Sequence, residues 1–169
     1  MAENPTPLRV AVITISDSVS SGKSEDKSGP AVIARCRELG WEIKSSLVIP
    51  DDPPSIREQL RQFADSSRVD LILTTGGTGL GPRDVTPEAT TAVLDRAAPG
   101  FAEAIRADSI ARTPHGLLSR GIAGVRGRTL VVNLPGSPGG CRDGYAVLRP
   151  ALEHALELLA GEPTAHRQT

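Results

Sequence analysis

Apolar residues fall into short runs separated by glycine and proline, and their spacing switches between the period of a strand and that of a helix. Residues 9–16 (RVAVITIS) form a β-branched run almost unbroken by charge, the pattern of a central strand covered on both faces. A polar loop is expected over 17–27, after which Ser28-Gly29-Pro30 opens a helical pattern (AVIARCREL) closed by Gly40. Residues 42–49 alternate as a second strand. Pro50-Asp51-Asp52-Pro53 then breaks the chain ahead of a helix with Ile56, Leu60 and Phe63 on its apolar face. A third strand, 69–75 (VDLILTT), runs directly into a glycine cluster, beyond which Thr86 reads as an N-cap with Pro87 at the first helical position. Residues 100–111 give a further helix, and 121–125 with 129–134 pair as a hairpin turning at Gly127. The chain from there to Leu159 is helical, with Pro150 expected to break or kink it, and residues from 162 onward read as a frayed tail.

Strands that alternate with helices imply βαβ crossovers, a parallel sheet and helices on both faces. The expected fold is therefore α/β: a three-layer α/β/α sandwich with a mostly parallel central sheet and one antiparallel edge strand. A chain of 169 residues fits one domain at about 150 residues per domain, with an ordered core over about 8–160 and short flexible tails. In open sheets of this kind ligands bind beyond the carboxyl ends of the strands, so the loops at the strand exits should form the site.

Composition narrows the function. The net charge of −1 and the scarcity of aromatic residues (Trp41, Phe63, Phe101 and Tyr145) leave neither a basic footprint nor stacking platforms for nucleic acid. No apolar run approaches the roughly 20 residues that span a bilayer, and MAENPTPLR lacks a signal-peptide pattern, so a cytoplasmic protein is expected. Cys36 and Cys141 match no ligand spacing, and His115, His154 and His166 are scattered, which argues against zinc. Glycine and proline, at 17 and 14 residues, exceed the usual share, and that excess belongs in shaped loops.

Two common phosphate motifs fail. Ser21-Gly22-Lys23-Ser24 imitates the end of a Walker loop, but the position of its first glycine is Asp17, and a Gly-Pro pair interrupts the helix that must follow. The cluster at 76–81 fits GxGxxG in no register. What remains is GGTG (Gly76, Gly77, Thr78, Gly79) at a strand exit, followed by Asp84 and a helix start. Such a loop lets the backbone approach a ligand and turn N–H groups on an anion, with a helix terminus behind it. The stretch 134–140 (LPGSPGG) repeats the plan, with Gly136 in the loop and Ser137 as N-cap. Two anion cradles suit a ligand with phosphates and more than one ring system. Asp17, Asp51, Asp52 and Asp84 all leave strand ends, and carboxylates beside phosphates suggest Mg²⁺.

The runs TTGGTGLGPRDVTPEAT (74–90), SDSVSSGKSEDKSGP near the start, VIPDD in the middle and NLPGSPGG late resemble the Mog/MoaB family of molybdenum-cofactor biosynthesis proteins over residues 9 to about 159. The resemblance implies a molybdopterin-binding domain, commonly a homotrimer, which in the Mog branch adenylylates molybdopterin with Mg-ATP ahead of molybdate insertion by a partner protein. It places Asp51 and Asp84 at the acidic catalytic and Mg²⁺ positions. Gly76, Gly77, Thr78 and Gly79 fall on the phosphate and nucleotide loop, Gly136 and Ser137 on the second loop, and Asp17, Ser28 and Gly29 on the N-terminal loop. MoaB-type members share these motifs, so a non-catalytic pterin-binding or carrier protein is the rival reading. Arg83 and Arg142 are expected to face water.

Overall fold

The computed structural model describes residues 7–161. The tails expected beyond about 8–160 thus fall almost wholly outside the described residues. One mixed sheet of six strands runs in the order β2-β1-β3-β6-β5-β4. Its strands are β1 (Arg9–Ile15), β2 (Glu42–Ile49), β3 (Leu71–Thr75), β4 (Arg96–Ala97), β5 (Ala123–Arg126) and β6 (Thr129–Leu134). The pairs β1·β2, β1·β3 and β3·β6 are parallel, whereas β5 is antiparallel to both neighbours. The antiparallel strand is therefore the hairpin partner of β6, one place in from the edge that the two-residue β4 occupies. Such a short outer strand has no periodicity to read.

Helices α2 (Ser28–Glu38), α5 (Pro99–Arg112) and α6 (Pro138–Ala160) cover one face, and α3 (Pro53–Asp65) and α4 (Thr86–Thr91) the other. The period-2 alternation of the strands divides the core between the two faces. Val10, Val12, Leu71, Leu73, Leu130 and Val132 pack under α2, α5 and α6; Ala11, Ile13, Ile15, Ile72 and Val131 pack under α3 and α4. Each Leu or Ile buried there contributes about 1.5–3 kcal/mol. Ile56 and Leu60 of α3 are fully buried, as their spacing predicts.

Two expectations about helices need correction. The loop expected over 17–27 begins with a single turn, α1 (Asp17–Ser20), because Ser16 Oγ accepts from the Val19 N–H and caps it. Pro150 does not break the last helix, which runs continuously from Pro138 to Ala160. Pro150 and Ala146 lie on the exposed side of the helix, and the buried stripe Cys141, Tyr145, Leu148, Leu152 and Leu156 holds both halves to the sheet. Gly161 then closes the helix in the left-handed conformation (φ 78°).

Chain order decides where a ligand can sit. From β1 the chain passes through α2 on one face to β2, and from β2 through α3 on the other face to β3, on the opposite side of β1. The exits of β1 and β3 therefore diverge from a crevice, the topological switch point of the sheet.

Candidate functional site

A cleft of about 380 Å³ opens at that switch point, lined among others by Ser16, Ser28, Asp51, Gly76, Gly77, Asp84 and Gly136. Close backbone approach explains the glycines at its floor. Gly76 has φ 96°, and a Cβ there would stand 2.3 Å from the Ile15 carbonyl oxygen. Gly77 has φ 65°, and a Cβ on it would lie 2.3 Å from Thr86 Oγ1 and 2.8 Å from Asp51 Oδ1. A Cβ on Gly136 would come within 3.2 Å of the Gly76 Cα, so the two glycine loops meet backbone to backbone.

Asp51 and Asp17 brace each other. The Asp17 N–H donates to Asp51 Oδ2 (2.8 Å), and the Asp51 N–H donates to Asp17 Oδ1 (3.0 Å), tying the exit of β2 to that of β1. Arg83 adds a fork onto Asp17, with Nε 2.9 Å from Oδ2 and Nη2 3.2 Å from Oδ1. The Arg83 guanidinium, followed by the N–H from Asp51, holds the Asp17 carboxyl below the usual carboxylate range. Asp51 differs: it is buried, and its Oδ1 has no hydrogen-bond partner. Burial pushes its pKa up, the charges of Asp17 and Asp84 push the same way, and Arg83 and the Asp17 N–H oppose them. A buried acceptor left unpaired beside a glycine loop is a candidate ligand atom.

Asp84 turns inward on its own loop, where Oδ2 accepts from the Gly81 N–H at 2.8 Å. Asp52 caps α3 by accepting from the Ser55 N–H at 3.0 Å, so it is a structural residue. Ser28 and Gly29 start α2 against Asp26. The Gly29 N–H donates to Asp26 Oδ1 (3.0 Å), Thr14 Oγ1 donates to Asp26 Oδ2 (2.7 Å), and Thr75 Oγ1 donates to Ser28 Oγ (2.8 Å). Ser137 caps α6 by accepting from the Gly140 N–H at 3.0 Å, in agreement with the sequence.

Thr86 is not the N-cap that the Thr-Pro pair suggests. Val85 holds that position without a side-chain bond, and Thr86 is the first helical residue. Its buried Oγ1 donates instead to the Gly76 carbonyl at 3.0 Å, and its N–H donates to the Gly77 carbonyl at 3.1 Å, stitching the helix start to the glycine turn. With only six residues in α4, the loop N–H groups rather than a macrodipole must supply the positive field here.

Of the residues singled out in the sequence, Asp51, Asp84, Gly76, Gly77, Ser28 and Gly136 line one cleft, with Asp17, Gly29 and Ser137 directly behind it. Thr78 and Gly79 are the exceptions: their carbonyls face Arg120, outside the residues that line the cleft. Arg83, expected to face water, is exposed but paired with Asp17, and Arg142 is exposed. Three further residues escape the sequence pattern. Asp26 leaves a signal only in the SEDKSGP run, Thr14 is one position of the first strand run, and Arg120 leaves none, because it reaches the loop from 36 residues beyond Asp84. Cys36 and Cys141 are buried, and burial pushes their thiols up to about 12 and about 11, so both are packed and unreactive.

The family model described as "Probable molybdopterin binding domain" matches residues 11–154. Gephyrin of Dictyostelium discoideum is 40% identical over 164 residues, which cover 91% of this chain and 23% of that protein, so the chain spans about a quarter of its length. A molybdopterin adenylyltransferase of Helicobacter pylori is 35% identical over 161 residues, covering 91% of this chain and 89% of the relative. The crystal structure of the molybdopterin biosynthesis enzyme MoaB of Thermus thermophilus superposes with a TM-score of 0.84 at 48% identity, covering 92% of this chain and 98% of that one.

Proposed function

The chain belongs to the molybdopterin-binding domain family of molybdenum-cofactor biosynthesis proteins, and on that premise we propose that it transfers AMP from Mg-ATP to the terminal phosphate of molybdopterin. The observation that carries this reading is the cleft itself: two glycine loops in backbone contact beside Asp51 Oδ1, a buried oxygen with no protein partner. Two cradles match two phosphate-bearing substrates. In the reaction an oxygen of the pterin phosphate bonds to the α-phosphorus of ATP, the bond from that phosphorus to the β-bridging oxygen breaks, and pyrophosphate leaves.

A phosphate monoester is largely ionised at neutral pH, with a second pKa of about 6, so no general base is required. The protein's task is alignment and charge neutralisation. In this reading the N–H groups of Gly76 and Gly77 hold one phosphate group in the cleft, and those of Thr78 and Gly79, beyond its lining, meet the ligand only where it extends along the loop. Gly136 and the α6 terminus capped by Ser137 receive the other, and Asp17, Ser28 and Gly29 fix the walls.

The residues present fit a magnesium ion that arrives with the nucleotide. Asp51 Oδ1 is buried and unpaired, Asp84 lines the same cleft, and among the described residues no group of three or more His, Cys, Asp or Glu side chains forms a metal cage. One or two carboxylates plus phosphate oxygens and water is the set magnesium prefers. Bound there, the ion would supply countercharge to the phosphates, and Asp51 and Asp84 would hold it.

Among the described residues no helix is long and apolar enough to cross a membrane. We extend the reading to a cytoplasmic homotrimer that passes its product to a molybdate-insertion partner. The rival reading is a non-catalytic pterin carrier; such a protein would bind pterin and leave Mg-ATP intact. Asp84→Asn tests the catalytic assignment, because asparagine can still accept from the Gly81 N–H while the charge is gone. Turnover should fall far more than pterin affinity, and equal losses in both would overturn the assignment.

A further inference from the structure

We propose that Arg120 is a positioning residue for this reaction, one that sets the shape of the phosphate loop from behind without touching substrate. The proposal rests on reading the cleft as the site of adenylyl transfer. Arg120 follows a 3-10 helix (Pro114–Leu118) and meets the loop at three places and the helix after it at a fourth. Its N–H donates to the Thr78 carbonyl (2.8 Å), Nε to the Gly79 carbonyl (2.7 Å) and Nη2 to the Asp84 carbonyl (2.6 Å), while Nη1 pairs with Glu88 on α4. These acceptors bracket the loop from the residue after the glycine pair to the helix that follows it.

A trans peptide plane points its C=O and N–H in opposite directions. Drawing the carbonyls of Thr78, Gly79 and Asp84 onto Arg120 therefore turns the N–H groups of Gly79, Leu80 and Val85 away from it. Among the described residues no acceptor takes the N–H of Gly79 or Leu80, so both are open to solvent or to a ligand that extends past the cleft lining. Asp84 holds the loop from within through the Gly81 N–H, and Arg120 fixes its outer side. The bond to Thr78 comes from the main chain, but only a planar fork can serve the Gly79 and Asp84 carbonyls and the Glu88 carboxylate together; a lysine ammonium is a single point and cannot span them. The side chain is one third exposed, its charge is balanced by Glu88, and each of its three guanidinium nitrogens donates to protein, which separates it from a substrate-binding arginine.

Arg120→Ala, Arg120→Lys and the wild type are to be compared by steady-state pyrophosphate release and by hydrogen exchange of the ligand-free proteins. Misplacement of donors by about 1 Å corresponds to a loss of around 100-fold. We expect Arg120→Ala to lower kcat by that order while KM for molybdopterin changes less than about threefold. Arg120→Lys should remain near the alanine variant, and millimolar guanidinium should restore part of the turnover of Arg120→Ala without affecting the wild type. Amides over residues 76–85 should exchange faster in Arg120→Ala, with those of β3 and α6 unchanged.

A kcat within twofold of wild type, or unaltered exchange over 76–85, would overturn the proposal. So would parallel losses of turnover, pterin affinity and thermal stability without guanidinium rescue, since that pattern belongs to a residue that only supports the fold. Absence of pyrophosphate release by the wild type would overturn the adenylyl-transfer reading, and with it Arg120's role in that reaction. The exchange experiment, made without substrate, still judges whether Arg120 clamps the loop.

Discussion

The two loops that meet across the cleft, residues 76–81 and 135–140, read almost alike: a buried strand ends, glycines follow, and a hydroxyl residue with proline opens a helix. Their construction differs. The second loop is made by its helix, because Ser137 caps the 23-residue α6 and Pro138 stands at its start. The first is made by straps: Thr86 ties it to the Gly76 carbonyl, Asp84 to the Gly81 N–H, and Arg120 to three carbonyls, ahead of a helix of six residues. Only the strapped loop carries the positive φ angles at Gly76 and Gly77, and only there, at Gly77, would an added Cβ run into the unpaired oxygen of Asp51. A helix terminus offers an anion site of fixed geometry, whereas straps hold a backbone shape that local sequence does not favour.

The widest gap between the loops should appear on adding one methyl group to each. Gly76→Ala meets the Ile15 carbonyl at 2.3 Å with φ 96°, and we expect a loss of about 3 kcal/mol or more in denaturant unfolding. Gly139→Ala, in the first turn of α6 with nothing within 4 Å, should instead gain about 0.5–1 kcal/mol. Similar values for the two would erase the distinction.

Asp51→Asn comes next. Turnover should drop by about 100-fold, as when one preorganised charge partner is removed. The same variant should be more stable than wild type near neutral pH. Because burial raises the native pKa of Asp51, its carboxyl holds a proton more tightly folded than unfolded. The penalty for ionising it builds up as pH rises from the ordinary value of about 3.9 to the native one and is fully present above both. Melting temperature should therefore rise by about 2–4 °C at pH 7.5, the shift that about 1 kcal/mol produces in a chain of this size, and the gain should vanish below the ordinary value. A destabilised Asp51→Asn at neutral pH would contradict the description of that oxygen as unpaired.

Hydroxyl removal separates a cap from a strap. Ser137→Ala should cost about 1 kcal/mol as a lost N-cap, and Thr86→Ala about 1–2 kcal/mol because it strips a buried bond from the Gly76 carbonyl. Only Thr86→Ala should also speed hydrogen exchange in residues 76–85.

The smallest effect is one of pH. Loss of kcat/KM on the acid side should follow protonation of Asp51, above the ordinary carboxylate range. Asp17→Asn removes a like charge and frees Arg83, while its amide oxygen can still accept from the Asp51 N–H; the acid limb should move to lower pH. A limb that stays fixed or moves upward would show that Asp51 does not control it.

How much of this is legible in the sequence follows the same division. The boundaries of β2, the hairpin turn at Gly127, the cap at Ser137 and the convergence of Asp51 with Asp84 all rest on local periodicity or on chemistry at a strand end. Thr86 misleads because Thr-Pro has the same local form whether its hydroxyl caps its own helix or crosses to a glycine ten residues back. Arg120 cannot be read at all, since its partners lie 32 to 42 residues away and no spacing rule connects them. Strand β4 is too short to have a pattern, and Pro150 is overruled by packing on both sides of it. Long-range straps are the part of a site that sequence pattern does not encode.

The most direct test is pyrophosphate release from Mg-ATP by the wild-type protein, followed with and without molybdopterin. Adenylyl transfer at this cleft predicts release that requires the pterin and matches the adenylylated product mole for mole. Pterin bound with ATP left intact would contradict it in favour of a carrier, and ATP consumed without pterin would contradict it in favour of a plain nucleotide hydrolase.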